Sequence, residues 1–237
     1  MEITNIKHFK NKKINFMCRK YFILVFIGFI ILITTTNCNK NKKYQLYLSR
    51  EDSIKIVDEI LAHRKEVDSI FQNDPSSPFN RDTSVHFNGI KWFPPDVKYY
   101  FKSKLYKYKI PESVLIYGTK GEERKHIKYG YFIINFEGKE YRLNVYKISP
   151  ADPNYERYKN YLSVWFTDET TGKETYQVGR YVDVGDENND PDFLYTINLN
   201  NAYNPYCAYT PLYSCAIPRK EDHLNFAVKA GEMKYHH

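Results

Sequence analysis

Tyr131-Phe132-Ile133-Ile134-Asn135-Phe136-Glu137-Gly138-Lys139-Glu140-Tyr141-Arg142-Leu143-Asn144-Val145-Tyr146 reads as two strands joined by a tight turn. Apolar and polar residues alternate with a period of two, and aromatic and β-branched types dominate. Gly138 supplies the backbone freedom that a short hairpin needs. Working outward, Tyr161 to Phe166 and Thr175 to Val184 form a second pair around Glu169-Thr170-Thr171-Gly172. Phe193 to Leu199 is a last strand. Upstream, Val97, Tyr99, Phe101 and Leu105 alternate with Lys98, Lys102 and Lys104, a strand with one wet face, and Ser113 to Tyr117 is another apolar run. With no helical pattern between these strands, the fold class is mainly β: an antiparallel sandwich or open barrel. One N-terminal amphipathic helix precedes it. Ser49 caps the start, Glu51 and Asp52 fill the first turn, and Ile54, Val57, Ile60, Leu61, Val67 and Phe71 recur at near-helical spacing over about 50–73.

The amino-terminal segment has a different character. Tyr21 to Ile33 is an apolar run behind Arg19-Lys20, too short to span a bilayer, and it leads through Thr34-Thr35-Thr36-Asn37 to Cys38. A basic region, a short greasy core and a terminal cysteine fit a lipoprotein signal. Residues 1–38 are therefore expected to be a signal and anchor, 39–49 a tether, and 50–237 a single β-rich domain. Met17 is the alternative start. Cys38 is the expected lipidation site, the membrane the expected partner, and the cell envelope, outside the cytoplasm, the expected location. The chain carries a formal charge of +7, but six cations and one acid precede Cys38, leaving about +2 for the rest. That value, with no arginine-rich stripe, excludes a nucleic-acid footprint. The 23 tyrosines fall mostly in strand-like runs, where an apolar ring with a wet hydroxyl suits a half-buried surface.

The stretch from Phe166 to Glu232 resembles a bacterial family, the domain of unknown function numbered 1684. The resemblance is carried by Phe166-Thr167-Asp168-Glu169-Thr170-Thr171-Gly172-Lys173-Glu174-Thr175-Tyr176, Gly179-Arg180-Tyr181 and Asn200-Asn201-Ala202-Tyr203-Asn204-Pro205-Tyr206-Cys207-Ala208-Tyr209. Cys215, Pro218, Glu221 and Ala230-Gly231-Glu232 continue it, and Ser77-Pro78-Phe79 with Gly89-Ile90-Lys91-Trp92-Phe93-Pro94 extend it upstream. Asn198 stands where the family tends to have Asp, and Asn200-Asn201 where it tends to have Asn-Arg. The resemblance implies a β-rich fold. It supplies no activity and no catalytic residue to carry over.

Cys207 and Cys215, outside the cytoplasm, are a disulfide candidate whose closure is worth about 2.6 kcal/mol on the chain-entropy model. Buried free thiols are the alternative. Together with His223 they lack the close ligand pairs of a metal site, so neither metal nor cofactor is expected. Asp168 and Arg180 have a structural reading, an Arg–carboxylate pair locking the turn at Thr171-Gly172. Their functional reading places Asp168, Arg180, Tyr203, Asn204, Glu221 and Glu232 around one cleft that binds a small polar or glycan ligand. A hydrolase-like enzyme with Asp168 or Glu221 as base, and Arg180 steadying an anion, is the alternative. A carboxyl with a strongly raised pKa in a deep pocket favours the enzyme, and a tyrosine-lined surface favours binding.

Overall fold

The structure, a computed structural model, describes residues 48–235. The expected signal, Cys38, the tether up to Tyr47 and both terminal histidines lie outside the described residues.

The long helix α1 spans Arg50–Asn73. Ser49 accepts from the Asp52 amide while the Asp52 carboxylate accepts from the Ser49 amide, a reciprocal cap that satisfies two otherwise orphaned donors. The buried face differs from the apolar set expected above: it is Ile56, Ile60, Arg64 and Phe71, whereas Ile54 and Leu61 remain exposed. Burying Arg64 is tolerated because its Nη1 donates to Phe93 O at 2.9 Å and its Nη2 to Asn200 O at 3.3 Å. Two inward carbonyls, which no sequence pattern encodes, thus set the helix's rotation.

The strands are β1 (Tyr100–Ser103), β2 (Tyr106–Tyr117), β3 (Glu123–Phe136), β4 (Lys139–Ile148), β5 (Tyr161–Asp168), β6 (Arg180–Asp186), β7 (Tyr195–Asn198) and β8 (His223–Leu224). The large sheet runs β2-β3-β4-β5-β6, antiparallel throughout, with β8 adding two parallel pairs to β5; β1 and β7 form a separate antiparallel ribbon. This arrangement is open, with no closed barrel among the described residues. In the β3–β4 hairpin Phe136 pairs with Lys139, and Glu137 and Gly138 have φ of 50° and 79°, the positive values that a two-residue turn of matching twist requires. One expectation is corrected: the strand placed at Thr175 to Val184 begins only at Arg180. Thr170 and Thr175 instead close a loop through their hydroxyls at 3.0 Å, and Gly179, at φ 114°, turns the chain into β6.

One face of the large sheet (Phe132, Ile134, Leu143, Val145, Leu162, Val164, Phe166 and Val182) packs on Phe101, Tyr195, Ile197 and the C-terminal residues Leu224 to Ala230. This is the sandwich core, where each fully buried large apolar side chain contributes roughly 1.5–3 kcal/mol. The opposite face gathers Val114, Ile116, Tyr146 and Trp165. A third cluster, Phe71, Phe79, Tyr209 and Tyr235, fixes the C-terminal end of α1 to the chain's final segment.

Candidate functional site

Between α1, the β1–β7 ribbon and β6 lies a cavity of about 1280 Å³. Elementary periodicity places its walls. Helical spacing presents Glu59, His63, Val67 and Ile70 from α1. Strand alternation sends Phe101 and Ile197 into the core and leaves Tyr100, Lys102, Thr196 and Asn198 on the cavity side, where Tyr100 pairs with Asn198 and Lys102 with Thr196. On β6 the same alternation buries Arg180 and Val182 and turns Tyr181 and Asp183 outward to the cavity. The remaining wall includes Trp92, Asn201, Tyr203, Tyr206, Tyr213 and Cys215. Trp92 is held by the Arg64 guanidinium, 4.8 Å from its ring centroid.

Glu232 is the cavity's one fully buried carboxyl among the described residues, with 0% exposure. Its backbone bridges to Trp92, and its amide donates to Ala202 O at 2.8 Å. Gly231 makes this approach feasible: at φ 78°, any Cβ there would lie 2.5 Å from Ala202 O. The Glu232 Oε2 accepts from the Asn204 amide at 2.9 Å and from the Tyr209 hydroxyl, whereas its Oε1 is buried without a partner. Burial pushes its pKa up to about 7, against the opposing pull of Tyr209, Asn204 and Arg180. Three further atoms of cavity residues are buried and unpartnered: Trp92 Nε1, Asn201 Oδ1 and Tyr213 OH. Buried polar atoms are normally satisfied, and of the ten unpartnered ones among the described residues four belong to residues of this one cavity.

The six residues singled out from sequence divide. Tyr203 and Glu232 line the cavity, and Asn204 lies behind it, bonding Glu232 through its amide and Met233 O through its side chain at 2.9 Å. Arg180 and Asp168 lie in the core, not on the cavity wall. Arg180 Nη2 donates to Asp168 Oδ2 at 2.9 Å and to Val228 O at 2.8 Å, and Nη1 donates to Ala230 O and to Glu232 O. The second Asp168 oxygen accepts from the Thr170 amide, the Thr170 hydroxyl and the Val228 amide. A carboxylate bonded in this way to strand, loop and the C-terminal segment holds them together in the core. Glu221 stands apart on the surface, paired with Arg219 at 2.9 Å and Lys128 at 3.3 Å.

Cys207 and Cys215 are both free thiols in contact, the Cys207 amide donating to Cys215 Sγ at 3.3 Å. Their mutual hydrogen bond pulls the Cys207 thiol down to about 6 and pushes Cys215 up, as for two groups sharing one proton. No group of three or more metal-ligating side chains occurs among the described residues.

Sequence reasoning missed Trp92, His63, Asp183 and Asn201 as wall residues. Alternation in β6 is the signal that reaches Asp183, which lies two residues after Tyr181 on the same face of the strand. Nothing local marks His63.

Comparisons with known proteins agree with this architecture. A family model described as "Protein of unknown function (DUF1684)" matches residues 85–233. The solution NMR structure of an uncharacterized protein from Haloarcula marismortui is similar, with 29% sequence identity and a TM-score of 0.56, covering 78% of this chain and 97% of that one. No curated protein matches the chain.

Proposed function

The chain belongs to the DUF1684 family of proteins of unknown function, and on that premise we propose that it is a membrane-tethered binding domain for a small polar or glycan ligand. The ligand sits in the cavity between α1, the β1–β7 ribbon and β6. The observation that carries this reading is the combination of aromatic walls with four buried, unpartnered polar atoms. Tyr100, Tyr181, Tyr203, Tyr206, Tyr213 and Trp92 offer stiff ring faces, and Glu232, Asn201 and Trp92 offer unspent hydrogen bonds. Rigid rings lose little entropy on binding, and a ligand that satisfies stranded atoms gains more than one that leaves them dry. The tether rests on the sequence alone: the basic, greasy segment ending at Cys38 holds the domain at a membrane, outside the cytoplasm.

One observation favours a second reading, a hydrolase-like enzyme. The Glu232 carboxyl, held near neutrality by burial, has the proton affinity of a general base. It would replace Asp168, which is buried in the core against Arg180 and off the cavity wall, and Glu221, which lies on the surface.

Native mass spectrometry of the full chain, extracted in nonionic detergent, separates these readings. Binding predicts a small-molecule adduct that is absent from an Asn201→Trp variant with its cavity filled. An adduct retained by that variant, or none under any condition, refutes the binding reading. Turnover of the released compound by fresh protein supports the enzyme.

A further inference from the structure

We infer that the cavity's ligand is a small organic cation, a primary ammonium or guanidinium on an apolar or aromatic body, with its charged head against Glu232. This rests on the binding reading above and narrows it. The charges on the wall are unequal: Glu59, Asp183 and Glu232 face Lys102. Lys102 is moreover committed, donating from Nζ to Thr196 Oγ1 and lying 5.6 Å from the Tyr100 ring centroid. His63 adds no charge at neutral pH, because burial lowers its pKa below the ordinary value. An ammonium entering here meets Glu59 and Asp183 at the rim and, at the floor, the Glu232 carboxyl with Arg180 behind it.

The unspent hydrogen bonds point the same way. Glu232 Oε1 and Asn201 Oδ1 are acceptors, Trp92 Nε1 is a donor, and Tyr213 OH serves as either. A ligand rich in donors satisfies both acceptors at once, and an ammonium or guanidinium carries donors alone. Aromatic faces complete the set, because a cation is attracted to the face of a tyrosine or tryptophan ring more strongly than a neutral polar group is.

Proton linkage gives the inference a signature. Glu232 is surrounded by Tyr209 and the Asn204 amide from the neighbouring loop, Arg180 from β6, and Asp68 from α1. Glu59, His63, Asp183 and Lys102 share its cavity. A cation requires the carboxylate, so below the free pKa of about 7 its binding must release a proton, and affinity falls about tenfold per pH unit.

The test uses the full chain in nonionic detergent, titrated by calorimetry with phenethylammonium and with its neutral isostere phenethyl alcohol. At about pH 7.5 the ammonium is expected to bind at least about tenfold more tightly, an advantage that disappears by about pH 5.5. Glu232→Gln removes the advantage while the alcohol binds as before. Asp183→Asn, at the exposed rim, reduces it about twofold and serves if the buried substitution fails to fold. Equal affinities at the higher pH, or an advantage that survives Glu232→Gln, overturn the cation. A neutral oligosaccharide that binds where the ammonium does not overturns the cation and leaves the binding reading standing. If ammonium, alcohol and oligosaccharide all fail to bind, both fall.

Discussion

Replacing Glu232 by Gln changes how stability depends on pH, and the size of the change follows from burial. In the folded chain the carboxyl titrates near 7; in the unfolded chain it returns to 4.5. A carboxyl whose folded pKa is raised favours the folded state most when protonated. Its contribution is therefore complete below about pH 4.5 and is lost as pH rises through 7. The difference of about 2.5 units corresponds to about 3 kcal/mol, and the group is fully buried, so solvent screening does not reduce it. Gln keeps an oxygen to accept from Asn204 and Tyr209 and never ionises. Wild type and Glu232→Gln should accordingly have similar stabilities near pH 4.5, whereas near pH 8 the variant should be the more stable by up to about 3 kcal/mol. Half-buried His63 and His126 and buried Asp222 also titrate differently from their ordinary values, but they are common to both proteins and cancel in the difference. Urea unfolding followed by tryptophan fluorescence across this range measures it. A stability difference that stays constant within about 0.5 kcal/mol refutes the buried carboxyl.

Arg180→Ala strands the Asp168 carboxylate and three carbonyls in the core, so a loss of about 3–5 kcal/mol is expected in thermal unfolding. Wild-type melting would contradict the clamp. Gly231→Ala forces a side chain onto Ala202 O at positive φ, for a cost of about 1–3 kcal/mol and a displaced Glu232. Unchanged stability and unchanged ligand affinity would speak against that placement. Protein taken from the envelope fraction is expected to begin at an acylated Cys38, and export would oxidise the adjacent Cys207 and Cys215 thiols to a disulfide worth about 2.6 kcal/mol. Intact-mass measurement finding a free, unacylated amino terminus and two thiols would remove the export proposal.

Much of the scaffold is local in origin and was legible. The cap at Ser49 and Asp52 sets the start of α1, and Gly138 with the alternation around it sets the β3–β4 hairpin. What escaped depends on distant partners. Arg64 belongs to no apolar stripe and is buried because Phe93 and Asn200 carbonyls meet it across the fold. Thr175 has strand propensity but spends its hydroxyl on Thr170, which delays β6 to Arg180. Glu232 could be picked out beside Ala230-Gly231, yet its role as a cavity floor needs Trp92, Asn201 and α1 to converge from far apart in the chain. Asp168 and Arg180 are equally suited by sequence to a site or a clamp, and their burial in the core with bonds to one another and to the C-terminal segment assigns them to the clamp.

The most direct test of the cavity uses the chain's two tryptophans. Trp92 lines the cavity with an unpartnered indole N–H, and Trp165 is buried behind Tyr181, off the cavity wall. In a proton–nitrogen correlation spectrum of the full chain, phenethylammonium should shift the Trp92 indole signal and leave that of Trp165 nearly in place. Equal movement of both, or a Trp92 signal that stays still while calorimetry registers binding, would put the ligand elsewhere.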